Sequence, residues 1–507
     1  MKTSLLALVF FFLCQMTTYS QIKTETRIEF ELKEGYENFD LREFGEYGIL
    51  VFYRAEKAQG GMVEWKVDHY STDLKLIDSK EFKVSDDFYL RKSEADKNNL
   101  YLLFSSRKGP IQLVQIEAES LKQKSYTFET PNKAYTYEFL LNEDIAYMAF
   151  TGKKGLTLKR IDLKSGKDTD IPVTIAGYKP NALVFENFQV DEDSKELYLF
   201  VNAYVKKVLN LHVLRYSAEG KLNETMSMSK DVEKTLTSIS ASYLREGEYL
   251  YTGTYSSYKK AGGNTSEGIY ICKTTNGTKD FIKFYNFTEF DEFLNYLSDK
   301  RQEKIEKKKE KAEAKGKEFV INYRMSSHNI RFMDGKFIYI GEAYYPTYRT
   351  ETYTTYVNGQ PVTQTRQVFD GYQYTHATVA AFDIEGTKLW DKTFEMYPGY
   401  KPFSVIRFIR VTETSDTELG LMFSSYRTIK SKAISTEGEV LNEREVSSIE
   451  TGNEEDKIKS SFSNLTFWYD NFFLAHGTQT IKNKDEKEER GKAKRRVYFI
   501  NKISYTF

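Results

Sequence analysis

The sequence predicts an all-β protein built from a repeated unit, and three observations support this prediction. The 507 residues include 38 Tyr and 36 Phe, and both residue types favour pleated strands. A short apolar run recurs along almost the whole chain. The segment that follows each run is divided by polar or glycine-containing turns, as expected for antiparallel strands joined by tight connections.

The recurring apolar runs are four to six residues long and lie at residues 49–53, 100–104, 145–150, 197–201, 249–252, 337–340, 419–423 and 472–475. Their starts are spaced roughly 45 to 53 residues apart, except around two longer stretches. Continuous apolarity over so few residues is typical of a strand that is buried on both faces. Each run therefore indicates one central strand of a repeated sheet.

The remainder of each unit predicts further strands. An alternating strand follows the apolar run and ends in a turn that often contains glycine, which readily adopts the positive φ of a tight turn. Such glycines are Gly166, Gly220, Gly386 and Gly438. A more polar strand then completes the unit, as in residues 122–128 and 388–394. Four antiparallel strands that must stack on neighbouring units to bury their faces predict a β-propeller.

About eight such units can be counted, with seven as the alternative and a pair of β-sandwiches as the rival architecture. The last unit ends shortly after the strand at residues 496–502 and lacks a fourth strand. Residues 26–32 form an isolated alternating strand near the start of the chain. Pairing between these two segments would close the ring and leave no exposed sheet edge.

One blade carries a resemblance to a known group of proteins. Residues 381–390 read Ala-Phe-Asp-Ile-Glu-Gly-Thr-Lys-Leu-Trp, which resembles a blade of the quinoprotein-type and related bacterial propellers, where an acidic turn, Gly and Trp recur. The other two tryptophans, Trp65 and Trp468, do not repeat this pattern from blade to blade. The resemblance therefore implies the propeller architecture, and no cofactor residue is carried over from that group.

The first twenty residues predict a signal peptide that directs export. Lys2 precedes an apolar run over residues 5–13, and small side chains at Thr18 and Ser20 favour cleavage after Ser20. The run is much shorter than the roughly 20 residues of a membrane-spanning helix. Only Cys272 would remain in the mature chain, which favours a bacterial periplasm, outer envelope or extracellular location over a disulfide-rich eukaryotic one. Residues 21–507 would then form the propeller.

Composition and motifs narrow the possible chemistry. The chain has 73 basic and 73 acidic residues, so no general positive charge favours nucleic acid as a partner. No zinc-protease, phosphate-loop or serine-hydrolase motif occurs, and no cofactor, metal site or catalytic residue is predicted. Structural or surface roles are favoured for the five histidines, which are His69, His212, His328, His376 and His476.

Two insertions interrupt the repeat. Residues 291–318 lie between the fifth and sixth units, and their Lys- and Glu-rich part, 291–316, predicts a charged helix with Phe293, Leu297 and Ile305 near one face. This helix either docks onto a partner or lies in solvent without one. Residues 344–374 predict an extended hairpin within the sixth unit, turning at Asn358-Gly359.

The hairpin contains the candidate interaction surface, a group of tyrosines consisting of Tyr344, Tyr345, Tyr348, Tyr353, Tyr356, Tyr372 and Tyr374. Exposed tyrosines are suited to contact with a protein or a glycan. The alternative is that these rings pack on the neighbouring blade or pair across the hairpin.

These observations lead to three functional hypotheses. The first is a non-catalytic exported module that binds a partner through the hairpin and the helix. The second is an enzyme that acts on glycans or peptides in the central funnel, where residues from several blades would meet. The third is a sensor that binds a small ligand on the propeller axis.

Overall fold

The computed structural model describes residues 21–32, 35–106, 109–130, 135–152, 155–191, 194–205, 208–257, 265–357, 359–485 and 493–506. Residues 1–20, with the predicted signal, lie outside this described part. Within it the chain forms thirty-four strands in eight antiparallel sheets, and one α-helix. The first strand, β1 (Gln21–Glu31), belongs to the last sheet and is described with it.

Sheets 1 to 4 each contain four strands that follow one another both in the chain and in space. Sheet 1 consists of β2 (Tyr36–Glu43), β3 (Ile49–Ala55), β4 (Met62–Tyr70) and β5 (Leu76–Ser85). Sheet 2 consists of β6 (Phe88–Ala95), β7 (Asn99–Ser106), β8 (Ile111–Glu117) and β9 (Gln123–Phe128). Sheet 3 consists of β10 (Tyr135–Asn142), β11 (Ile145–Gly152), β12 (Gly155–Asp162) and β13 (Asp168–Pro172). Sheet 4 consists of β14 (Leu183–Val190), β15 (Leu197–Val205), β16 (Val208–Tyr216) and β17 (Leu222–Ser227).

In sheets 5 and 6 the first strand is split into two pieces that pair with the same second strand. Sheet 5 consists of β18 (Thr235–Leu236), β19 (Ser240–Arg245), β20 (Glu248–Ser256), β21 (Gly268–Thr275) and β22 (Thr278–Asn286). The helix α1 (Asp299–Glu313) follows. Sheet 6 consists of β23 (Arg324–Ser327), β24 (Arg331–Met333), β25 (Lys336–Val357), β26 (Gln360–Phe382) and β27 (Lys388–Glu395).

Sheet 7 again has four consecutive strands, whereas sheet 8 combines the two ends of the chain. Sheet 7 consists of β28 (Arg410–Ser415), β29 (Glu418–Ser425), β30 (Thr428–Ser435) and β31 (Val440–Ser448). Sheet 8 consists of β32 (Lys457–Tyr469), β33 (Phe472–Lys482), β34 (Lys494–Thr506) and β1, in that order.

The apolar runs found in the sequence are the second strands of the eight sheets. In β7, Leu100, Leu102 and Phe104 pack in a cluster with sheet 1. The alternate residues Tyr101 and Leu103 pack in a cluster with sheet 3. Side chains alternate between the two faces of a strand, so a strand between two neighbouring sheets must be apolar at every position.

Eight hydrophobic clusters join the sheets into a closed ring. Each cluster combines residues of two consecutive sheets, from sheets 1 and 2 through to sheets 7 and 8. The eighth joins sheet 8 to sheet 1, where Trp468 and Ile500 pack with Leu41 and Val51. The chain is therefore a β-propeller with eight blades, and the prediction of eight blades over seven is confirmed. Below, each sheet is called a blade.

The N-terminal strand closes the ring, as the sequence predicted. β1 pairs with β34 from Gln21 opposite Thr506 to Glu31 opposite Val497. The buried side chain of Ile22 joins the cluster between blades 7 and 8, and its backbone N–H donates to Glu445 Oε1 over 3.0 Å. The outermost strand of the last blade thus comes from the opposite end of the chain.

The antiparallel order places every long connection on one face of the ring. In each blade the second and third strands are joined at the end where the first strand begins, and the chain also passes to the next blade at that end. We call this side the insertion face. The other side, the turn face, carries the short connections between strands one and two and between strands three and four. Four of its turns use Gly166, Gly220, Gly386 and Gly438 at φ between +71° and +85°.

The inserted helix is shorter than residues 291–316. It begins at Asp299, because the preceding segment is held by the blades. Phe293 is buried between blades 5 and 6, and the carboxylate of Asp391 accepts hydrogen bonds from the backbone N–H groups of Asp291 (2.9 Å) and Glu292 (2.8 Å). Within the described part of the chain, no helix is long and apolar enough to cross a membrane.

The long hairpin is present and consists of β25 and β26. Val357 pairs with Gln360, which places the connection at 358–359, where Asn-Gly predicted it. Gly359 has φ +78°, while Asn358 lies outside the described residues. The register shifts near Ala343 and Pro346, where the hairpin leaves the blade. We call residues 348–369 the arm.

Candidate functional site

The seven candidate tyrosines divide into two groups. Tyr344, Tyr372 and Tyr374 lie at the root of the hairpin and pack in the cluster between blades 6 and 7. The other four, which are 44–73% exposed, are Tyr345, Tyr348, Tyr353 and Tyr356. The structure therefore brings three of them together in the core and spreads the remaining four over the root and the arm.

The buried group fixes the hairpin to the ring. Tyr374 Oη donates to the backbone oxygen of Ile406 over 2.6 Å and accepts from the backbone N–H of Ile406 over 3.0 Å. Its ring also lies edge-on to Phe408, with centroids 4.9 Å apart. Burial raises the pKa of the Tyr374 hydroxyl, which keeps it protonated. These contacts are structural and leave Tyr374 no surface for a partner.

The arm is a two-stranded ladder with free edges. β23 pairs with β25 only as far as Tyr344, and β27 pairs with β26 only as far as His376. Beyond these points, the described strands provide no partner for either outer edge of the arm. Cross-strand contacts hold its two strands together, including a 2.9 Å hydrogen bond from Tyr353 to Gln364 and a 2.9 Å ion pair between Arg366 and Glu351.

Aromatic rings extend from the arm onto blade 7. Phe369 lies edge-on to Tyr348 and to Phe403, with ring centroids 5.9 Å apart in each pair. Phe403, in the segment that connects blades 6 and 7, is 75% exposed. Large exposed rings in one contiguous patch are characteristic of binding surfaces. This aromatic patch consists of Tyr348, Phe369 and Phe403.

The helix and the hairpin have adjacent roots. Tyr296, just before helix α1, stacks on His376 of β26 with centroids 4.1 Å apart and 13° between the rings. Burial raises the pKa of Tyr397, Glu395 and Tyr345 of the hairpin raise it further, and Arg301 of the helix lowers it. Both insertions therefore belong to one continuous part of the insertion face.

A cleft of about 830 Å³ lies beneath the helix. Its walls are the helix itself and the segments that enter and leave it, residues 286–295 and 317–319. Its apolar lining consists of Phe287, Phe290, Leu294, Ile305 and Phe319. Its charged lining consists of Glu289, Asp291, Glu303, Glu306, Glu313, Glu318, Lys309 and Lys317. The volume is within the range of ligand-binding pockets.

A second group of charged residues meets on the propeller axis. Arg410 of blade 7 interacts electrostatically with Glu342 of blade 6 and with Glu43 of blade 1. Arg407, just before blade 7, interacts with Glu342 and with Glu138 of blade 3. Blades 3 and 7 lie opposite each other in a ring of eight, so these groups can approach only across the axis.

The axial groups are largely occupied by contacts within the protein. Glu342 is fully buried and accepts hydrogen bonds from His328 Nε2 (2.7 Å) and from the backbone N–H groups of Phe408 (2.9 Å) and Ile409 (3.0 Å). Arg410 donates to backbone oxygens, including that of Leu465 over 2.7 Å. Burial lowers the pKa of Arg410 and raises that of the Glu43 carboxyl. Such a network can brace the ring or hold an anion.

Three further titratable groups have strongly shifted pKa values. Glu186 lies at a bulge of β14 and accepts a 2.5 Å hydrogen bond from Asn202. Burial raises the pKa of Glu186 to about 7. Burial also lowers the pKa of His376 to about 3 and that of His476 to about 4, so both imidazoles are neutral.

The histidines do not form a common site. They lie in blades 1, 4, 6 and 8, and in the described residues no group of three or more His, Cys, Asp or Glu side chains is arranged to hold a metal ion. His69 Nε2 contacts the backbone oxygen of Tyr47 at 2.7 Å, and His476 Nδ1 contacts Tyr498 Oη at 2.9 Å. Cys272 is a buried free cysteine, and burial raises the pKa of its thiol to about 12, so it is unreactive at neutral pH.

Sequence reasoning missed two features of the site. The axial charges come from positions hundreds of residues apart, and no linear pattern marks them. The acidic wall of the cleft does have a signal, because its helical members Glu303, Glu306 and Glu313 recur at intervals of three and seven residues, close to one and two helical turns. This spacing places carboxylates on one side of a helix and leaves Lys300, Lys304, Lys307, Lys308 and Lys311 on the other.

Comparison with known proteins gives no family. No family model matches the chain, and no curated protein matches it. Among solved structures, it is similar to the polysaccharide lyase Uly1, with 9% identity and a TM-score of 0.41 over 95% of this chain and 99% of the other. The β-propeller domain of the Trilobed protease from Pyrococcus furiosus is 11% identical, with a TM-score of 0.32 over 74% and 97% of the two chains.

A prolyl endopeptidase structure is 12% identical to this chain, with a TM-score of 0.37 over 89% of it. The chain spans about half the length of that endopeptidase, 54%. Because every one of these TM-scores is below 0.5, the likenesses carry no argument about activity. The eight-bladed β-propeller fold rests on the sheet order and the eight inter-blade clusters of the chain itself.

Proposed function

We propose that this propeller is an exported, non-catalytic binding module whose insertion face binds another protein. The observation that carries the proposal is the arm, which combines exposed tyrosines with two strand edges that no described strand pairs with. A free edge offers backbone N–H and C=O groups in the spacing of a β-strand, and a polypeptide segment can pair with it directly. A glycan has no such complementary ladder, so the arm favours a protein partner.

The aromatic patch at the hairpin root supports the same function. Aromatic rings contribute much of the binding energy of protein interfaces, because they bury a large area at low entropic cost. Phe369 and Phe403 extend the tyrosine surface from the arm onto blade 7. Export is supported by the sequence pattern of residues 1–20, and mass spectrometry of the mature chain should give an N-terminus at Gln21.

The test uses two tyrosines of equal exposure on opposite faces. Tyr348 in the arm and Tyr47 on the turn face are both 59% exposed. Each is replaced singly by a photo-crosslinking phenylalanine analogue in the full chain, which is expressed and irradiated in its native host. We expect one defined protein adduct from position 348 and none from position 47.

The crosslinked protein is then purified and titrated against two forms of the propeller. The wild-type chain should bind it, and a chain whose arm is replaced by a short turn should bind at least tenfold more weakly. Equal adducts from both positions, or equal affinity for both forms, would refute the proposal. Circular dichroism and the melting temperature of the shortened chain establish that the ring remains folded.

A small anionic ligand on the axis is the second candidate function. The specific observation is Arg407, whose guanidinium makes no side-chain hydrogen bond or ion pair to another described residue, although burial lowers its pKa. A carboxylate ligand would pair with it. A thermal-shift screen with small carboxylates should then give hits that Arg407→Gln abolishes, and a screen without hits would remove this candidate.

A further inference from the structure

The cleft beneath helix α1 has an excess of negative charge. Six carboxylates and two lysines line it, which leaves four negative charges in excess. Asp291 is paired with Lys388 over 3.1 Å. Glu289 Oε2 accepts a hydrogen bond from the backbone N–H of Asn286. The other four glutamates, which have no ion-pair partner among the described residues, are Glu303, Glu306, Glu313 and Glu318.

The helix separates its charges between the cleft and the solvent. The cleft is lined by Gln302, Glu303, Ile305, Glu306, Lys309 and Glu313, which fall on one side at helical spacing. The lysines on the other side of the helix are directed away from the cleft. The unpaired glutamates are therefore concentrated beside an apolar floor, where a cation gains more from them than it would on an open surface.

A buried amide at the cleft lacks a hydrogen-bond acceptor. Asn286 borders the cleft and is only 4% exposed. Its Oδ1 accepts from the backbone N–H and the hydroxyl of Thr288, at 3.0 and 3.1 Å, which fixes the orientation of the amide. The opposite atom, Nδ2, has no partner within the described part of the chain. Because an unpaired buried donor is costly, a ligand that brings a carbonyl oxygen would be favoured here.

These features specify one kind of occupant. The glutamates require positive charge, the apolar floor requires an apolar group, and Asn286 requires an acceptor. We propose that the cleft binds a short, extended Lys- or Arg-rich segment of the partner protein, a proposal that rests on the function proposed above. The helix from Gln302 to Glu313 is about 16 Å long, which accommodates roughly five residues of extended chain.

The test is fluorescence anisotropy with the full mature chain and a labelled, acetylated and amidated pentapeptide, Lys-Phe-Lys-Leu-Lys. We expect saturable binding at low ionic strength that weakens as salt is added. The double variant Glu303→Gln/Glu306→Gln should weaken binding about five- to thirtyfold. The matched control Glu46→Gln/Glu119→Gln, which changes the net charge equally on the turn face, should leave binding within about twofold.

Any of four binding results would overturn the proposal. The first is the absence of saturable binding, and the second is equal weakening in the control variant. The third is equal binding of Glu-Phe-Glu-Leu-Glu. The fourth is competition by spermidine that is as effective as competition by unlabelled peptide, since spermidine has positive charge but no carbonyl. Sedimentation velocity tests whether a second copy of this chain is the occupant. A wild-type chain that remains monomeric excludes a second copy. A wild-type dimer that the double variant Glu303→Gln/Glu306→Gln dissociates would also refute the proposal.

The chain with the shortened arm distinguishes this proposal from the one on which it rests. Its cleft is intact, so it should bind the basic pentapeptide with wild-type affinity even though it loses the partner protein. If the peptide binds but shortening the arm does not weaken binding of the partner protein, only the proposed role of the arm is refuted. If shortening the arm abolishes partner binding but the peptide does not bind, only the proposed role of the cleft is refuted.

Discussion

Tyr296 stacks face to face on His376, with ring centroids 4.1 Å apart and 13° between the ring planes. Phe293 lies at 90° to the same imidazole, at 4.8 Å. This contact joins three parts of the fold, because Tyr296 leads into the helix, His376 lies in the hairpin strand β26, and Phe293 belongs to the core between blades 5 and 6. The contact sets the position of the helix relative to the hairpin and thereby the shape of the insertion face.

Replacing His376 by Phe should change how stability depends on pH. Burial lowers the pKa of His376 to about 3, whereas an unfolded histidine titrates near 6.5. The unfolded chain therefore binds more protons between these values, and the folded state loses stability as the pH falls from about 6.5 towards 3. His376→Phe removes this contribution, about 1.4 kcal/mol per pH unit between pH 6 and pH 4.

The measurement is urea unfolding of both chains at pH 7 and at pH 4.5. At pH 7 the two should agree within about 1 kcal/mol, since Phe preserves the aromatic contacts. It removes Nε2, which has no partner in the described structure, and this offsets the loss of the 3.0 Å contact between Nδ1 and Thr375 Oγ1. At pH 4.5 the variant should be the more stable. Tyr296→Phe, which loses a 2.8 Å hydroxyl contact with Tyr323, is the pH-independent control. Parallel pH profiles for wild type and His376→Phe would contradict the prediction.

The repeat could be predicted because its physical cause is local. A strand between two blades must be apolar at successive positions, as Leu102 and Leu103 show by packing on opposite neighbours. Closure by the N-terminal strand was predictable for a related reason, since the last unit lacked a strand and a sheet edge is costly to expose.

The start of the helix could not be predicted from its own residues. Phe293 has helical spacing to Leu297, but burial of Phe293 in the core and capture of two backbone N–H groups by Asp391 exclude a helix there. Asp391 lies about one hundred residues further along the chain. Likewise, Arg407 and Glu138 interact only because the ring brings opposite blades together. Neither the contacts of Asp391 nor the interaction of Arg407 with Glu138 can be predicted from the neighbouring sequence.

Arg27 should be essential for ring closure. Its side chain is 7% exposed, and its guanidinium donates to Asn501 Oδ1 and Gln479 Oε1 over 2.8 Å each and to the backbone oxygen of Glu450 over 3.0 Å. Arg27→Ala leaves these acceptors and Glu29 without their donor, and should lower the free energy of unfolding by about 2–4 kcal/mol.

Lys23 provides the control within the same strand. Its side chain is 63% exposed and pairs with Glu25 over 3.1 Å, so Lys23→Ala should cost less than about 1 kcal/mol. Urea unfolding followed by tryptophan fluorescence includes a reporter at the closure, because Trp468 lies in the cluster that joins blades 8 and 1. If Arg27→Ala and Lys23→Ala lower the free energy of unfolding equally, Arg27 contributes little to closure of the ring by β1.

The two groups of tyrosines should respond differently to loss of their hydroxyls. Tyr374→Phe removes both hydrogen bonds to Ile406 and leaves part-buried backbone groups unpaired, which should cost about 1–3 kcal/mol. Tyr353→Phe removes only an exposed bond to Gln364 and should be nearly neutral. Thermal unfolding of the two variants tests this prediction, and a larger loss of stability for Tyr353→Phe than for Tyr374→Phe would contradict it.

Glu342 should be the most sensitive carboxylate on the axis. It is fully buried, and its oxygens accept from His328 and from two consecutive backbone N–H groups at the entrance to blade 7. Glu342→Gln places an amide NH₂ against these donors and removes the negative charge opposite Arg407 and Arg410. We expect the free energy of unfolding, measured in urea, to fall by about 2–4 kcal/mol.

Glu413 provides the control, because it is half exposed and paired with Arg331 at the surface. Glu413→Gln should lower the free energy of unfolding by less than about 1 kcal/mol. If both substitutions cost the same, the axial network does not brace blades 6 and 7, and its charges remain available for a ligand.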